Sequence, residues 1–167
     1  MLVCDRPDRE EARLGGADGM SEPFWKTVPL YKMNEAQWES LCDGCAKCCL
    51  LKLEDEDTGE IAYTRLHCTL LDAGTCQCSD YANRKAKVPD CVKLTPAGIE
   101  EIKWMPKTCA YRLVMDGKDL PDWHYLVCGD RERVHETGNS VRGRVVSEDT
   151  VFEDDMEDFI VDWEDEA

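Results

Sequence analysis

The sequence CDGCAKCC at residues 42–49 constrains this chain more than any other feature. Two residues separate Cys42 from Cys45 and Cys45 from Cys48, a spacing that lets consecutive sulfurs face one ion in zinc and iron–sulfur proteins. Gly44 supplies the backbone freedom that so tight a turn requires. Cys49 directly follows Cys48, and because neighbouring side chains diverge, we expect its sulfur to serve a second metal or a bridging role.

Nine of the eleven cysteines lie between residues 42 and 109. After the motif come Cys68, Cys76, Cys78, Cys91 and Cys109. Eight thiolates would fill two tetrahedral four-cysteine sites, whereas four would hold one [4Fe–4S] cluster, so the number of centres stays open. Cys4 and Cys128 lie outside this cysteine-rich stretch.

The composition explains why metal binding is expected to support the fold. Leu, Ile, Val and Phe together make up just under a fifth of the 167 residues, and 36 acidic residues against 20 basic ones give a formal charge of −16. Such chains approach the composition of disordered proteins. We therefore predict a small, irregular α+β domain stapled by metal, with short helices and a β-hairpin.

The same features exclude several classes of protein. A strongly acidic chain is poorly suited to bind nucleic acid or anionic membranes. The sequence has neither the roughly 18 consecutive apolar residues of a membrane span nor the apolar segment of a secretory signal. We expect a cytoplasmic location, where clustered cysteines hold metal more often than they form disulfides. No catalytic motif is found, so the question of enzymatic activity stays open.

The chain divides into three predicted segments: a disordered leader at 1–19, a cysteine-cluster metal-binding domain at 20–147, and an acidic amphipathic segment at 148–167. Phe24 and Trp25 are predicted to anchor the start of the domain. The last segment has eleven acidic residues, no basic residue and apolar residues at helical spacing. It forms either a helix that packs on its own domain or a docking segment for a protein partner, or it is disordered.

Local patterns predict the remaining elements. Asn34 and Gln37 form a capping box for a short helix that carries Trp38 and Leu41. A second helix is predicted from Thr95 to Pro106. The segments 109–115 and 123–129 are predicted to form a β-hairpin with a long loop, and 141–147 a third strand.

Three histidines are further candidate ligands, although a lone histidine is more often structural. They are His67, His124 and His135. His124 is the favoured one of the three, because it lies between Trp123 and Tyr125.

A long series of motifs resembles the YcgN branch of the YkgJ-type cysteine-cluster family, small bacterial proteins described as zinc- or iron-chelating. The match covers about 24–148, and its pieces are FW at 24–25, WESLCDGCAKCC at 38–49, KLEDEDTGEI at 52–61, TCQCSDYANR at 75–84, PDCVKLT at 89–95, MPKTCAYRL at 105–113, GKDLPDWH at 117–124 and VHETGNSVRG at 134–143.

The resemblance implies that the nine clustered cysteines are metal donors. These are Cys42, Cys45, Cys48, Cys49, Cys68, Cys76, Cys78, Cys91 and Cys109. It implies no reaction, because the biochemical role of the family is undefined. A related motif in flagellin lysine-methylating proteins is associated with an iron–sulfur cluster. We therefore carry two hypotheses: a zinc- or iron-binding protein whose metal is structural or exchangeable, and an iron–sulfur component of a redox or radical enzyme.

Overall fold

The computed structural model describes residues 22–163. The predicted leader at 1–19 and the last four residues of the acidic segment lie outside that range. The described chain forms short α-helices: α1 Phe24–Thr27, α2 Glu35–Ser40, α3 Arg84–Lys87, α4 Ala110–Met115, α5 Tyr125–Cys128 and α6 Arg133–Glu136. Its strands are β1 Leu50–Glu54, β2 Ile61–His67, β3 Leu71–Asp72, β4 Gln77–Cys78 and β5 Val146–Ser147. Single turns of 3₁₀-helix cover Leu30–Lys32, Lys47–Cys49, Ile99–Glu101 and Glu148–Thr150, and a longer one covers Glu153–Phe159.

The described chain divides into two compact units. The first contains residues 22–43 and Leu94–Thr137, and the second contains Gly44–Lys93 and residues 138–163. The boundary after Asp43 falls inside the CDGCAKCC motif, so Cys42 belongs to the first unit and the other three motif cysteines belong to the second.

The first unit is held by an apolar core. Its buried members are Trp38, Leu41, Ile99, Met105, Ala110, Tyr111 and Leu120. The Tyr111 ring lies 4.6 Å from the Trp38 ring, and its hydroxyl donates a 3.0 Å hydrogen bond to the Trp38 carbonyl. Phe24 and Trp25 pack against this core as predicted. Burial of aromatic surface therefore supplies much of the stability of this unit.

Helix α2 begins where the sequence predicts. The Asn34 side chain accepts a 2.8 Å hydrogen bond from the backbone N–H of Gln37, and the Gln37 side chain accepts one of 3.1 Å from the backbone N–H of Asn34. This capping box satisfies two backbone donors that the start of a helix leaves unpaired. The predicted interior residues, Trp38 and Leu41, are both buried.

The predicted hairpin between residues 109–115 and 123–129 is wrong, because both segments are helical. In α4 the buried residues are the neighbours Ala110 and Tyr111, with Val114 packed on the same core. That spacing is helical and not alternating. In α5 the His124 side chain caps the first turn by accepting from the N–H of Leu126, and Gly129 ends the helix at φ +82°. A glycine adopts this left-handed conformation without steric cost.

The predicted helix from Thr95 to Pro106 is reduced to a single 3₁₀ turn, Ile99–Glu101. The Thr95 hydroxyl accepts a 3.2 Å hydrogen bond from the N–H of Gly98, which closes a local turn. At Ile102 the backbone leaves the helical region, with ψ at +87°. Ile99 and Met105 are nevertheless buried, so the pattern identified core residues but overestimated the length of the helix.

The second unit is built on a three-stranded sheet with the order β1-β2-β5. Strands β1 and β2 form an antiparallel hairpin that pairs Leu50 with His67 and Lys52 with Tyr63, and β5 joins β2 in parallel. The predicted strand at 141–147 is therefore confined to its last two residues. A second small hairpin, β3–β4, pairs Leu71 with Cys78.

The core of the second unit is smaller than that of the first. Its buried members are Ala46, Leu50, Leu71, Cys76, Val141 and Trp163. The indole N–H of Trp163 donates a 3.1 Å hydrogen bond to the Thr64 carbonyl, and Ile160 forms a β-bridge to Thr64. Residues 160 to 163 of the acidic segment thus pack on their own unit, whereas Phe152 is 82% exposed. The amphipathic helix, one of the predicted alternatives for this segment, is replaced by the 3₁₀ turns Glu148–Thr150 and Glu153–Phe159.

The fold class predicted from the sequence is confirmed: the chain is a small α+β protein with short helices and β-hairpins. The hairpins are formed by other segments than the one predicted. Within residues 22–163, no helix combines the length and the apolar composition needed to cross a bilayer.

Candidate metal centre

Five cysteines of the second unit lie near one another. We call them the thiol cluster: Cys48, Cys49, Cys68, Cys78 and Cys91. The β1–β2 hairpin positions two of them, because Cys49 immediately precedes β1 and Cys68 immediately follows β2. The backbone N–H of Cys68 donates a 2.9 Å hydrogen bond to the Cys49 carbonyl, which holds the two residues side by side.

The 3₁₀ turn Lys47–Cys49 brings the sulfurs of Cys48 and Cys49 within 4.0 Å of each other. The expectation that Cys49 points away from Cys48 is therefore wrong. Consecutive side chains diverge by about 120° in a 3₁₀-helix and by about 180° in a strand, so the turn permits the contact. Ala46, which has the left-handed φ of +61°, sets the direction in which the turn begins.

The thiols of the cluster interact electrostatically. The pKa of Cys49 is raised far above its ordinary value, first by the hydrogen bond with Cys48, then by burial, and then by Cys48, Cys68 and Cys91 as neighbouring charges. Burial is also the main cause that raises the pKa of Cys68, with added contributions from Glu148, Cys91 and Cys78. The metal-free cluster therefore carries protons that a metal must displace.

A hydrogen bond to sulfur lowers the pKa of one thiol of the cluster, and a lysine ammonium interacts with the cluster. The Leu70 N–H donates to the Cys68 sulfur at 3.5 Å and lowers the pKa of that thiol. The Lys52 ammonium donates to the carbonyls of Cys48, at 3.1 Å, and Leu50, at 2.7 Å. Burial lowers the pKa of Lys52, while the thiols of the cluster act in the opposite direction. Groups of this kind stabilise thiolates around a metal.

Sequence reasoning did not identify Lys52. It lies within a strand, just before the acidic run of Glu54 to Asp57, and only the three-dimensional structure shows that its ammonium interacts with the thiols. Lys47, inside the CDGCAKCC motif, is a buried cation with only 2% of its surface exposed.

The other cysteines predicted as ligands have different surroundings. Cys76 is buried in the core of the second unit, where Arg142 and Ser140 form hydrogen bonds with its sulfur; burial nevertheless raises its pKa. The carbonyl of Cys45 accepts a 3.0 Å hydrogen bond from the N–H of Val141. In the first unit, Cys42 is exposed, and Cys109 directly precedes α4 and packs against the core.

Cys128, which was not predicted as a ligand, is buried in the first unit. Its thiol contacts the carbonyls of Trp123 and Asp130 at 3.6 and 3.5 Å. No disulfide bond joins any of the ten cysteines within residues 22–163.

His124 is a structural residue. Its Nδ1 accepts a 3.1 Å hydrogen bond from the Leu126 N–H, so Nε2 carries the proton and donates, also at 3.1 Å, to the Leu41 carbonyl. Both ring nitrogens are thereby engaged, and neither is available to a metal. In the second unit, Nδ1 of His67 lies 2.9 Å from the Cys68 carbonyl. His67 is the residue opposite Leu50 in the β1–β2 hairpin.

The thiol cluster fits a soft metal ion in its chemistry and in one distance. Four sulfurs at about 2.3 Å from a tetrahedral zinc ion lie about 3.8 Å from one another, close to the 4.0 Å between Cys48 and Cys49. Within residues 22–163, however, no three Cys, His, Asp or Glu side chains are close enough together to hold a metal as they stand. Ligation therefore requires cysteine side chains to rotate toward a common point.

Comparison with known proteins agrees with this chemistry. Residues 41–110 match the domain family CxxCxxCC, described as "Putative zinc- or iron-chelating domain". No solved structure matches the chain. A UPF0260 protein of Parvibaculum lavamentivorans is 61% identical over 85% of this chain and 93% of its own length. Another, from Pseudomonas putida, is 58% identical over 83% of this chain and 93% of its own length. With this identity along nearly the whole length of its relatives, the chain belongs to the UPF0260 family and carries a domain of the CxxCxxCC type.

Proposed function

We propose that this protein binds zinc or iron through its clustered cysteines, with the thiol cluster as the main centre. The observation that carries the proposal is the position of Cys49, whose sulfur contacts that of Cys48 and interacts with the thiols of Cys68 and Cys91. Thiolates are the protein ligands that zinc and iron–sulfur centres share. The description of the matched domain family supports the same chemistry.

The full ligand set implied by the resemblance has nine cysteines, and four lie outside the thiol cluster. Of these, Cys45 belongs to the same unit as the thiol cluster and is the candidate for completing it. Cys42 and Cys109, in the first unit, stay proposed ligands on the resemblance alone. Cys76 is the weakest candidate, because its sulfur is already held by Arg142 and Ser140 in an apolar core. The motif series also leads us to assign the chain to the YcgN branch, and the clustered cysteines lead us to propose a cytoplasmic location.

We further propose that the metal is exchangeable. Cys48 is exposed, so one donor of the cluster can be reached by a competing ligand from solvent. A bound metal would cross-link the 3₁₀ turn of Lys47–Cys49, the end of β2 and the segment around Cys91. The chain's own residues supply the thiolates, the N–H of Leu70 that orients Cys68, and the ammonium of Lys52 beside them.

A protein partner is a separate part of the proposal, and the acidic segment is its docking element. From residue 148 to residue 162 this segment contains eight acidic residues and no basic one. Phe152 is 82% exposed within it. A partner with a basic surface and an apolar pocket fits these features.

The test of the proposed function is metal analysis after anaerobic purification. We expect about one or more zinc or iron ions per chain, and binding of Co²⁺ by the apoprotein with the intense absorption of sulfur ligation. Cys68→Ser should lower the stoichiometry, whereas Cys128→Ser, which changes a buried cysteine outside the cluster, should leave it unchanged. Brown protein that absorbs near roughly 400 nm would support the iron–sulfur hypothesis instead. Absence of stoichiometric metal from correctly folded protein would refute the proposal.

A further inference from the structure

Lys52 is held in a fixed position beside the thiol cluster. Its ammonium donates hydrogen bonds of 3.1 Å to the carbonyl of Cys48 and 2.7 Å to that of Leu50. It also lies 5.2 Å from the centre of the Tyr63 ring, in the cation–π range. Tyr63 is the residue opposite Lys52 in the β1–β2 hairpin. Two carbonyls and one ring thus hold the ammonium in place, where it interacts electrostatically with the thiols of Cys48, Cys49 and Cys91, whereas a flexible lysine would extend into water.

The position of this charge matters because metal binding changes the charge of the cluster. Free thiols are protonated and neutral at pH 7 with an ordinary pKa, but they bind a metal as thiolates and release their protons to solvent. A divalent ion with four thiolates has a net charge of −2, and with three thiolates it has −1. Binding therefore converts a neutral group into an anionic one, which a nearby cation stabilises.

We propose that Lys52 is a positioning residue that raises the affinity of the thiol cluster for divalent metal by neutralising part of the negative charge that forms on binding. This inference rests on the proposed function. Lys52 ligates nothing; it acts through its charge on the metal–thiolate centre and through its hydrogen bonds on the turn that carries Cys48 and Cys49. Of these two effects, the charge is the one that determines affinity.

The experiment measures the affinity of the full chain for Zn²⁺ by competition with a chromophoric chelator, together with the Co²⁺ absorption spectrum and circular dichroism. Lys52→Met removes both the charge and the donors, Lys52→Gln keeps an N–H donor without the charge, and Lys52→Arg keeps both. Lys87→Met is the matched control. It removes one positive charge from an exposed lysine of the same unit, which pairs with Asp80 at 2.8 Å.

We expect Lys52→Met and Lys52→Gln to bind Zn²⁺ roughly ten- to a hundredfold more weakly than wild type, as for loss of a charge in a partly screened site. Lys52→Arg and Lys87→Met should stay close to wild type, and the Co²⁺ spectrum should keep its sulfur bands throughout. If Lys52→Met fails to fold, the Zn²⁺ affinities of Lys52→Gln and Lys52→Arg are compared instead, and a weaker affinity of Lys52→Gln supports the inference.

Equal affinity of Lys52→Gln and wild type overturns the inference and leaves the proposed function intact. A wild-type protein that binds no divalent metal overturns both. A Lys52→Arg variant as weak as Lys52→Gln also contradicts the inference, because the charge alone would then have no effect.

Discussion

The backbone N–H of Cys68 donates a 2.9 Å hydrogen bond to the carbonyl of Cys49, and this contact joins the two ends of the β1–β2 hairpin. Eighteen residues of sequence separate the two cysteines. The hairpin therefore places Cys49, the last residue of the motif, next to Cys68, which is distant in the sequence. Because strand pairing fixes the backbone of both residues, their side chains have only rotamer freedom to lose when a metal binds.

Metal binding should release protons and strengthen as pH rises. The pKa values of Cys49 and Cys68 are raised, so these thiols are protonated at neutral pH and must lose their protons to ligate. We expect release of about two or more protons per zinc ion at pH 7, measured by calorimetry in buffers of different ionisation enthalpy. Binding that releases no protons would show that the metal uses other donors.

The metal-free protein should lose stability in alkaline solution. A thiol whose folded-state pKa is raised stabilises the fold below its unfolded pKa, 9.0 for cysteine here, and this contribution disappears as pH rises through the folded value. Urea denaturation of the apoprotein should therefore show a falling free energy of unfolding above about pH 9. Cys49→Ser should flatten this dependence. The account of the cluster is contradicted if the stability of the apoprotein is the same at pH 8 and pH 10.

Removal of the metal should loosen the second unit more than the first. The core of the first unit contains seven buried residues that include Trp38 and Tyr111, whereas the core of the second unit contains six. Hydrogen exchange after chelation should show faster exchange in β1, β2 and the segment around Cys91, with α4 still protected. Equal exchange in loaded and chelated protein would mean that metal contributes nothing to the fold.

His124→Gln should leave the metal content unchanged and lower stability. The imidazole joins the Leu41 carbonyl to the Leu126 N–H, and its loss leaves buried polar groups without good partners, at a cost of about 1–3 kcal/mol. Burial lowers the pKa of His124, so its stabilising contribution is present above about pH 6.5 and is lost as pH falls. Thermal denaturation and metal analysis check both parts, and loss of metal would restore His124 as a candidate ligand.

The parts of the structure that depend on short-range chemistry were predictable from the sequence. The Asn34–Gln37 capping box follows from neighbouring residues, and the apolar character of Phe24 and Trp25 is enough to predict that they pack on the core. The prediction of a strand at helix α4 is wrong because it depends on the turn residues Asp116, Gly117 and Pro121 that follow the segment, whereas the positions that pack on the core follow a helical period.

The sequence predicts which residue types form the candidate site, but it does not predict which cysteines lie beside one another. The cysteine spacing indicates metal without the structure, but nothing in the spacing reveals that Cys49 lies beside Cys68. That contact depends on the register of the β1–β2 hairpin, which long-range strand pairing sets. The same register brings Lys52 opposite Tyr63, which explains why a lysine in a charged stretch was not recognised as part of the site.

X-ray absorption at the metal edge of the freshly isolated, anaerobically purified protein tests most directly whether the cysteines surround the metal. The account predicts a first shell made of sulfur at about 2.3 Å from the metal, with fewer sulfur atoms in Cys49→Ser and an unchanged shell in Cys128→Ser. A first shell of nitrogen and oxygen alone, or the same sulfur shell in Cys49→Ser as in wild type, would contradict it.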